Sequence, residues 1–203
     1  MKVGIFGGTF DPIHIGHMIM VEQALEMAGL DQVWLIPAPS PPHKQGKSIT
    51  DARHRLKMTE LAVADNPRLR VSRIEMERSG PSYTVDTVKA LTRQYPEYQF
   101  FLIIGGDMIL DLPRWHRIEE ILETVEVIGL LRKGIAWNEE KLPDWIKDRL
   151  HLFTEGVQLD LSSSLIRKKA AQGQSIRYLV PEPVRRYLEE HTIYEQRSLE
   201  KGR

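Results

Sequence analysis

An α/β fold built on a doubly wound parallel sheet, with helices on both faces and a small C-terminal helical part, is predicted by three features of the sequence. Strand-like and helix-like segments alternate at least four times, the pattern of a parallel sheet with helical crossovers. The strand-like segments are short continuous apolar runs, QFFLII at 99–104 being the clearest, as expected of strands covered on both faces. The chemically unusual residues lie just beyond those runs, where sheets of this Rossmann-like kind bind ligands.

Lys2 to Phe6 reads as a buried strand stopped by Gly7-Gly8, followed by a helix over Ile13 to Met27 that ends at Gly29. Gln32 to Ile36 is a second strand, and the proline-rich PAPSPPHKQGKS after it suits neither element. Thr50 is placed as the cap of a helix reaching about Ala64. Leu69 to Ile74 predicts a third strand, RSGPSY a loop, and Thr84 to Tyr95 a helix with Val85, Val88 and Leu91 on one face. Beyond 99–104, Val125 to Leu131 predicts a fifth strand, and Val157 to Leu161 offers another. Helices near Ser163 to Ala171 and Pro183 to His191 complete the chain. Residues 1–196 are thus expected to form one domain, its C-terminal helical part at about 162–196, with a polar tail at 197–203. Loops 7–14, 37–47, 78–84 and 105–115 should face one crevice.

Composition removes several classes of function. The 203 residues include 28 basic and 28 acidic side chains, 41% hydrophobic residues and no cysteine. Disulfides, thiol nucleophiles, iron–sulfur clusters and thiolate zinc sites are excluded. Balanced charge argues against a bulk polyanion binder, so no nucleic-acid partner is expected and any phosphate must be held by local geometry. Apolar stretches such as Phe100 to Ile104 fall far short of the roughly 18–20 residues that span a bilayer, and no signal peptide is visible. No membrane partner is expected, the expected compartment is the cytoplasm, and a homo-oligomer remains open.

Two constellations carry the chemistry. In GGTFDPIHIGH at 7–17, two glycines after a strand let backbone N–H groups approach a ligand. His14 and His17, three apart, project from one face of the first turn of the next helix. That end already carries partial positive charge and unpaired donors, so paired imidazoles there favour an anion, economically a polyphosphate. Asp11 could orient this turn, contact metal-bound water or cap the helix. The second constellation is LSSSLIR at 161–167. There Ser163 or Ser164 can start a helix while offering donors to an anion, and Arg167 lies one turn in.

Familiar nucleotide motifs fail. A G-x-G-x-x-G fingerprint is not matched by Gly4, Gly7 and Gly8, and the second strand ends without an acidic residue. Gly46-Lys47-Ser48 matches the end of a P-loop, but Pro41 replaces its first glycine. No H-E-x-x-H occurs, and a metal-dependent phosphohydrolase would want more carboxylates beside the histidines than Asp11.

GTFDPIHIGH resembles the signature of the nucleotidyltransferase superfamily that shares (H/T)-x-G-H, and LSSSLIR resembles its second motif, I-S-S-T-x-I-R, with departures at Leu161 and Ser164. IPAPSPPHK at 36–44, SYTVDT at 82–87 and IGGDMILDLPRWHRIEEI at 104–121 make the chain similar to the bacterial nicotinate-nucleotide adenylyltransferase family. That resemblance implies an enzyme of NAD biosynthesis. It would transfer the adenylyl group of ATP to nicotinate mononucleotide, giving nicotinate adenine dinucleotide and pyrophosphate. The alternatives are pantetheine-phosphate adenylyltransferase, which usually carries Thr where His14 stands, and a non-catalytic nucleotide-binding protein.

The resemblance implies catalytic roles for His14 and His17 as donors to ATP phosphates. The backbone of Gly7, Gly8, Thr9 and Phe10 would seat the phosphates, with Ser163, Ser164 and Arg167 holding the β- and γ-phosphates. Lys44 would meet the mononucleotide phosphate, Gly105 would border its site and Asp107 would accept from ribose hydroxyls. Trp115 would stack on the nicotinate ring, and Thr84 with the backbone of His116 would bind its carboxylate. Mg²⁺ is implied as ATP's companion, held mainly by phosphates, with no dedicated protein ligands.

Overall fold

The computed structural model describes residues 1–39, 49–78, 80, 82–131 and 142–195. The expectations for Lys44, for part of loop 37–47 and for the tail at 197–203 therefore lie outside the described residues, as does the side chain of Asp107.

Six parallel strands form one sheet: β1 (Lys2–Gly8), β2 (Gln32–Pro37), β3 (Leu69–Val71), β4 (Gln99–Gly105), β5 (Glu126–Leu130) and β6 (Leu150–Phe153). Their order is β3-β2-β1-β4-β5-β6. The chain winds outward from β1 in one direction, then returns to β4 beside β1 and winds outward in the other. The crevice at that reversal opens between the carboxyl ends of β1 and β4, where Gly8 and Gly105 stand.

Side-chain alternation explains why both faces must be covered. Val33 and Leu35 enter one core with Phe6, Phe101 and Ile103, and Trp34 and Ile36 enter the other with Val3, Ile5 and Leu102. The first core is closed by Val21, Ala24 and Leu25 of α1 (Ile15–Met27) and by Met58 and Ala62 of α2 (Ala52–Val63). Ile166 of α7 (Ser163–Ala171) and Val184 and Leu188 of α8 (Glu182–Glu190) join the same core, so the C-terminal helices are packed onto the body of the sheet. The second core is closed by Val85, Val88 and Leu91 of α3 (Thr84–Gln94) and by Ile118, Ile121 and Leu122 of α5 (Ile118–Thr124).

The ends of these helices follow local chemistry. α1 stops where Gly29 takes a left-handed φ of 58°, a conformation that favours glycine. α2 is capped by Asp51, whose carboxylate accepts from the Arg53 N–H at 2.8 Å; the cap falls one residue after the expected Thr50. α7 is capped by Ser162, whose hydroxyl accepts from Leu165 N–H at 3.2 Å.

The third strand ends at Val71 rather than Ile74, where the chain turns instead, and two further regions depart from the expectation. The last strand is Leu150–Phe153, while 157–161 forms no strand. Its apolar–polar alternation is that of a half-buried strand, yet Val157 is 66% exposed and only Leu161 is buried. Short helices α4 (Gly106–Ile109) and α6 (Asp144–Lys147), together with α5, occupy stretches where no helix is predicted from the sequence. No helix among the described residues is long and apolar enough to cross a membrane.

Candidate active site

The loop after β1 is shaped by its glycines and by Phe10. A Cβ on Gly8 would stand 2.6 Å from the Phe10 ring, so only glycine lets that ring turn back beneath the strand end. Phe10 is 2% exposed with a left-handed φ of 49°. Its ring meets His17 edge-on, centroids 5.2 Å apart and planes at 87°. Gly7 is exposed and leaves open space around its Cα.

His14 and His17 lie together at the tip of α1, their rings stacked with centroids 3.7 Å apart. His14, rather than Asp11, occupies the cap position, with extended backbone and 3% exposure. Its backbone N–H donates to His17 Nδ1 at 3.2 Å. Because an N–H can only donate, Nδ1 must accept, and neutral His17 carries its proton on Nε2. The Nε2 edge of the ring is thereby a donor. A Cβ on Gly16 would approach the His14 ring at 3.1 Å, so the small residue makes room for the stack.

The tip of α7 is fastened to this loop. The Ser163 hydroxyl donates to the Pro12 carbonyl at 2.9 Å, and Arg167 Nη1 donates to the Asp11 carbonyl at 2.7 Å. Arg167 Nη2 also donates to the Ser164 hydroxyl at 3.2 Å. Two helix N-termini, 151 positions apart at that first bond, thus share one loop. Backbone donors, imidazoles and a guanidinium are brought to one place, which suits an extended anion.

Arg55 braces the same loop from beneath. It is 1% exposed, and its guanidinium donates to the carbonyls of Thr9 and Ala38 at 2.7 Å, Pro39 at 2.8 Å and Thr50 at 2.9 Å. Burial holds its pKa below the usual arginine range, an effect opposed by the Asp11 carboxylate. It joins the loop after β1 to the segment after β2. Asp11, 3% exposed, accepts from the Tyr194 hydroxyl at 2.6 Å and the Thr50 N–H at 3.4 Å. Sequence reasoning passed over both Arg55 and Tyr194. One charge on an amphipathic helix and one tyrosine beside a polar tail carry no local signal.

A second cluster lies on the other face of the sheet. Tyr83 precedes α3, and its ring lies against His116 with centroids 4.5 Å apart. Thr84 is the first residue of that helix, and Trp115, half-buried, leans on the second core. Gly105 ends β4 and caps α4, and Asp107 lies within α4. Glu75, 8% exposed, accepts from the Thr87 hydroxyl at 2.7 Å and so ties the first turn of α3 to the loop before it. Burial raises the Glu75 pKa, with Thr87 pulling the other way. The two clusters straddle the β1/β4 reversal. Tyr83 was within reach of the sequence, since SYTVDT contains it, but its tilted ring contact with His116 joins segments far apart in the chain.

Such a fold with two joined helix tips defines a class, the nucleotide-handling α/β transferases, and the family model described as cytidylyltransferase-like matches residues 5–169, which include both tips. The Bacillus subtilis (strain 168) nicotinate-nucleotide adenylyltransferase is 43% identical over 194 residues, covering 96% of this chain and 98% of the relative. A protein of Geobacillus thermodenitrificans named probable nicotinate-nucleotide adenylyltransferase is 48% identical, covering 97% and 88%. The Plasmodium falciparum nicotinic acid mononucleotide adenylyltransferase complexed with NaAD shares the fold, with a TM-score of 0.78 at 21% identity over 95% of this chain and 97% of that one. The chain belongs to the nicotinate-nucleotide adenylyltransferases of the cytidylyltransferase-like family.

Proposed function

We propose that this chain transfers the adenylyl group of ATP to nicotinate mononucleotide, forming nicotinate adenine dinucleotide and pyrophosphate in NAD biosynthesis. The observation that carries the reading is the fastening of α7 to the loop after β1 through Ser163–Pro12 and Arg167–Asp11, beside the stacked histidines. The attacking group is a phosphate oxygen of the mononucleotide, already anionic near neutral pH, so no general base is required. A bond forms from that oxygen to the α-phosphorus, the bond to the α–β bridging oxygen breaks, and its electron pair leaves on pyrophosphate. The protein's task is to align two anions and stabilise the charge that builds on the phosphoryl oxygens.

His17 donates through Nε2 toward the α/β bridge, and His14 supports the same phosphates. The backbone from Gly7 to Phe10 seats them. At the other tip Ser163 contributes its backbone N–H, its hydroxyl proton being engaged by Pro12, while Ser164 and Arg167 hold the β- and γ-phosphates. Trp115 stacks on the nicotinate ring, with Tyr83 and His116 beside it. Thr84 and the His116 backbone receive the carboxylate, Gly105 lets the nucleotide approach, Asp107 takes the ribose and Lys44 the mononucleotide phosphate. We place the activity in the cytoplasm, where ATP is supplied, and read residues 1–196 as its single domain.

Among the described residues no group of three or more histidine, aspartate or glutamate side chains is arranged to hold a metal. Asp11, the carboxylate nearest the histidines in sequence, is buried and already accepts from Tyr194 and Thr50. These residues do not form a metal cage, so Mg²⁺ is assigned to ATP itself and no step is routed through it. The test is to mix the protein with ATP and, separately, nicotinate mononucleotide, nicotinamide mononucleotide or phosphopantetheine. Pyrophosphate formed fastest with nicotinate mononucleotide is the expected result; free phosphate, or turnover only with phosphopantetheine, overturns the reading.

A further inference from the structure

The chain returns, at its far end, to the loop it built first. Past α8, Thr192 and Tyr194 adopt left-handed φ values of 49° and 73°, a conformation uncommon for residues other than glycine. This turn delivers Tyr194 to Asp11 across 183 positions of sequence. The ring packs against the first core, and the hydroxyl donates to Asp11 Oδ1 at 2.6 Å. Burial, reinforced by the Asp11 charge, pushes the phenol pKa up, so the group remains a donor at any working pH.

Asp11 needs that donor. A buried carboxylate lacking hydrogen bonds is costly and draws on whatever donor can move. Arg55 cannot, since four carbonyls hold it. Arg167 can: its Nη1 rests on the Asp11 carbonyl at 2.7 Å and stands 3.8 Å from Oδ2, close enough for attraction but beyond a hydrogen bond. About a third of the Arg167 side chain is exposed. Without the phenol, the guanidinium would close onto the carboxylate as a paired fork, the geometry such groups favour.

We propose that Tyr194 is a positioning residue for ATP, satisfying Asp11 so that Arg167 stays turned toward the triphosphate. This rests on the adenylyl-transfer reading above. It predicts an effect on ATP alone, transmitted through one arginine, whereas a merely structural tyrosine would disturb both substrates or neither.

The experiment is steady-state kinetics on Tyr194→Phe, Arg167→Ala and the double variant, with pyrophosphate as readout. Removing one hydroxyl keeps the ring's packing, and KM does not depend on the fraction of enzyme folded. Tyr194→Phe should raise KM for ATP about tenfold, the scale of one lost hydrogen bond to a buried carboxylate, and leave KM for the mononucleotide within about twofold. In the Arg167→Ala background the same change should add nothing. An unchanged KM for ATP, an equal rise for both substrates, or a full tenfold effect persisting without Arg167 overturns the proposal. The wild-type enzyme run alongside separates the two levels. No pyrophosphate from it ends the adenylyl-transfer reading, whereas normal wild-type turnover with any of those three outcomes ends the Tyr194 assignment alone.

Discussion

The two sides of the crevice are built differently. On the α1 side, Ser163, Arg167, Arg55 and Tyr194 reach from distant segments to the backbone or carboxylate of residues 9–12, each at 2.9 Å or less. On the α3 side, the Tyr83 ring lies against His116, Trp115 leans on the core, and Tyr83 is 37% exposed. The difference fits the proposed division of ligands, phosphates on the α1 side and the nicotinate ring on the α3 side. Charge stabilisation decays steeply with misplacement, so phosphate donors must be fixed in advance. A flat ring tolerates sliding.

If the α1 side is the preorganised one, His17→Ala should produce the largest loss, lowering kcat by on the order of 10²–10³ in a pyrophosphate-release assay. Normal turnover would move the chemistry elsewhere. Arg55→Met comes next, leaving buried carbonyls without donors; chemical denaturation should show a loss of about 3 kcal/mol. Stability equal to wild type would mean the brace is dispensable. On the α3 side, Trp115→Ala should raise KM for the mononucleotide by about tenfold and KM for ATP much less. Equal changes would take Trp115 out of the ring site.

The smallest effect is expected at Glu75. Its folded pKa is raised by burial, so what ionisation costs is felt only once the group loses its proton in the folded state. Relative to Glu75→Gln, wild-type stability should therefore be greatest below the ordinary glutamate range and decline as pH rises through the elevated folded value. A difference that stays flat from acid to neutral pH would show that Glu75 is not under strain.

Most of the sheet was legible because strands buried on both faces need uninterrupted apolar residues, as in β2 and β4. The two motif-bearing loops were legible because glycines, histidines and clustered serines at strand-to-helix junctions serve few purposes in a core. What escaped notice depends on distance. The braces from Arg55 and Tyr194 cross 46 and 183 positions, and nothing near either residue marks its partner. β6 is an edge strand of four residues without full burial, while the mostly exposed 157–161 stretch shows the same apolar–polar alternation.

The order in which these parts come off the ribosome then matters. A nascent chain translated only through residue 153 already holds all six strands, His14 and His17, yet half of its proposed anion seat is still untranslated. Only when α7 and finally Tyr194 have followed can the loop after β1 gain its contacts from Ser163, Arg167 and the phenol, so an interrupted product would lack both these contacts and the core side chains Ile166, Val184 and Leu188.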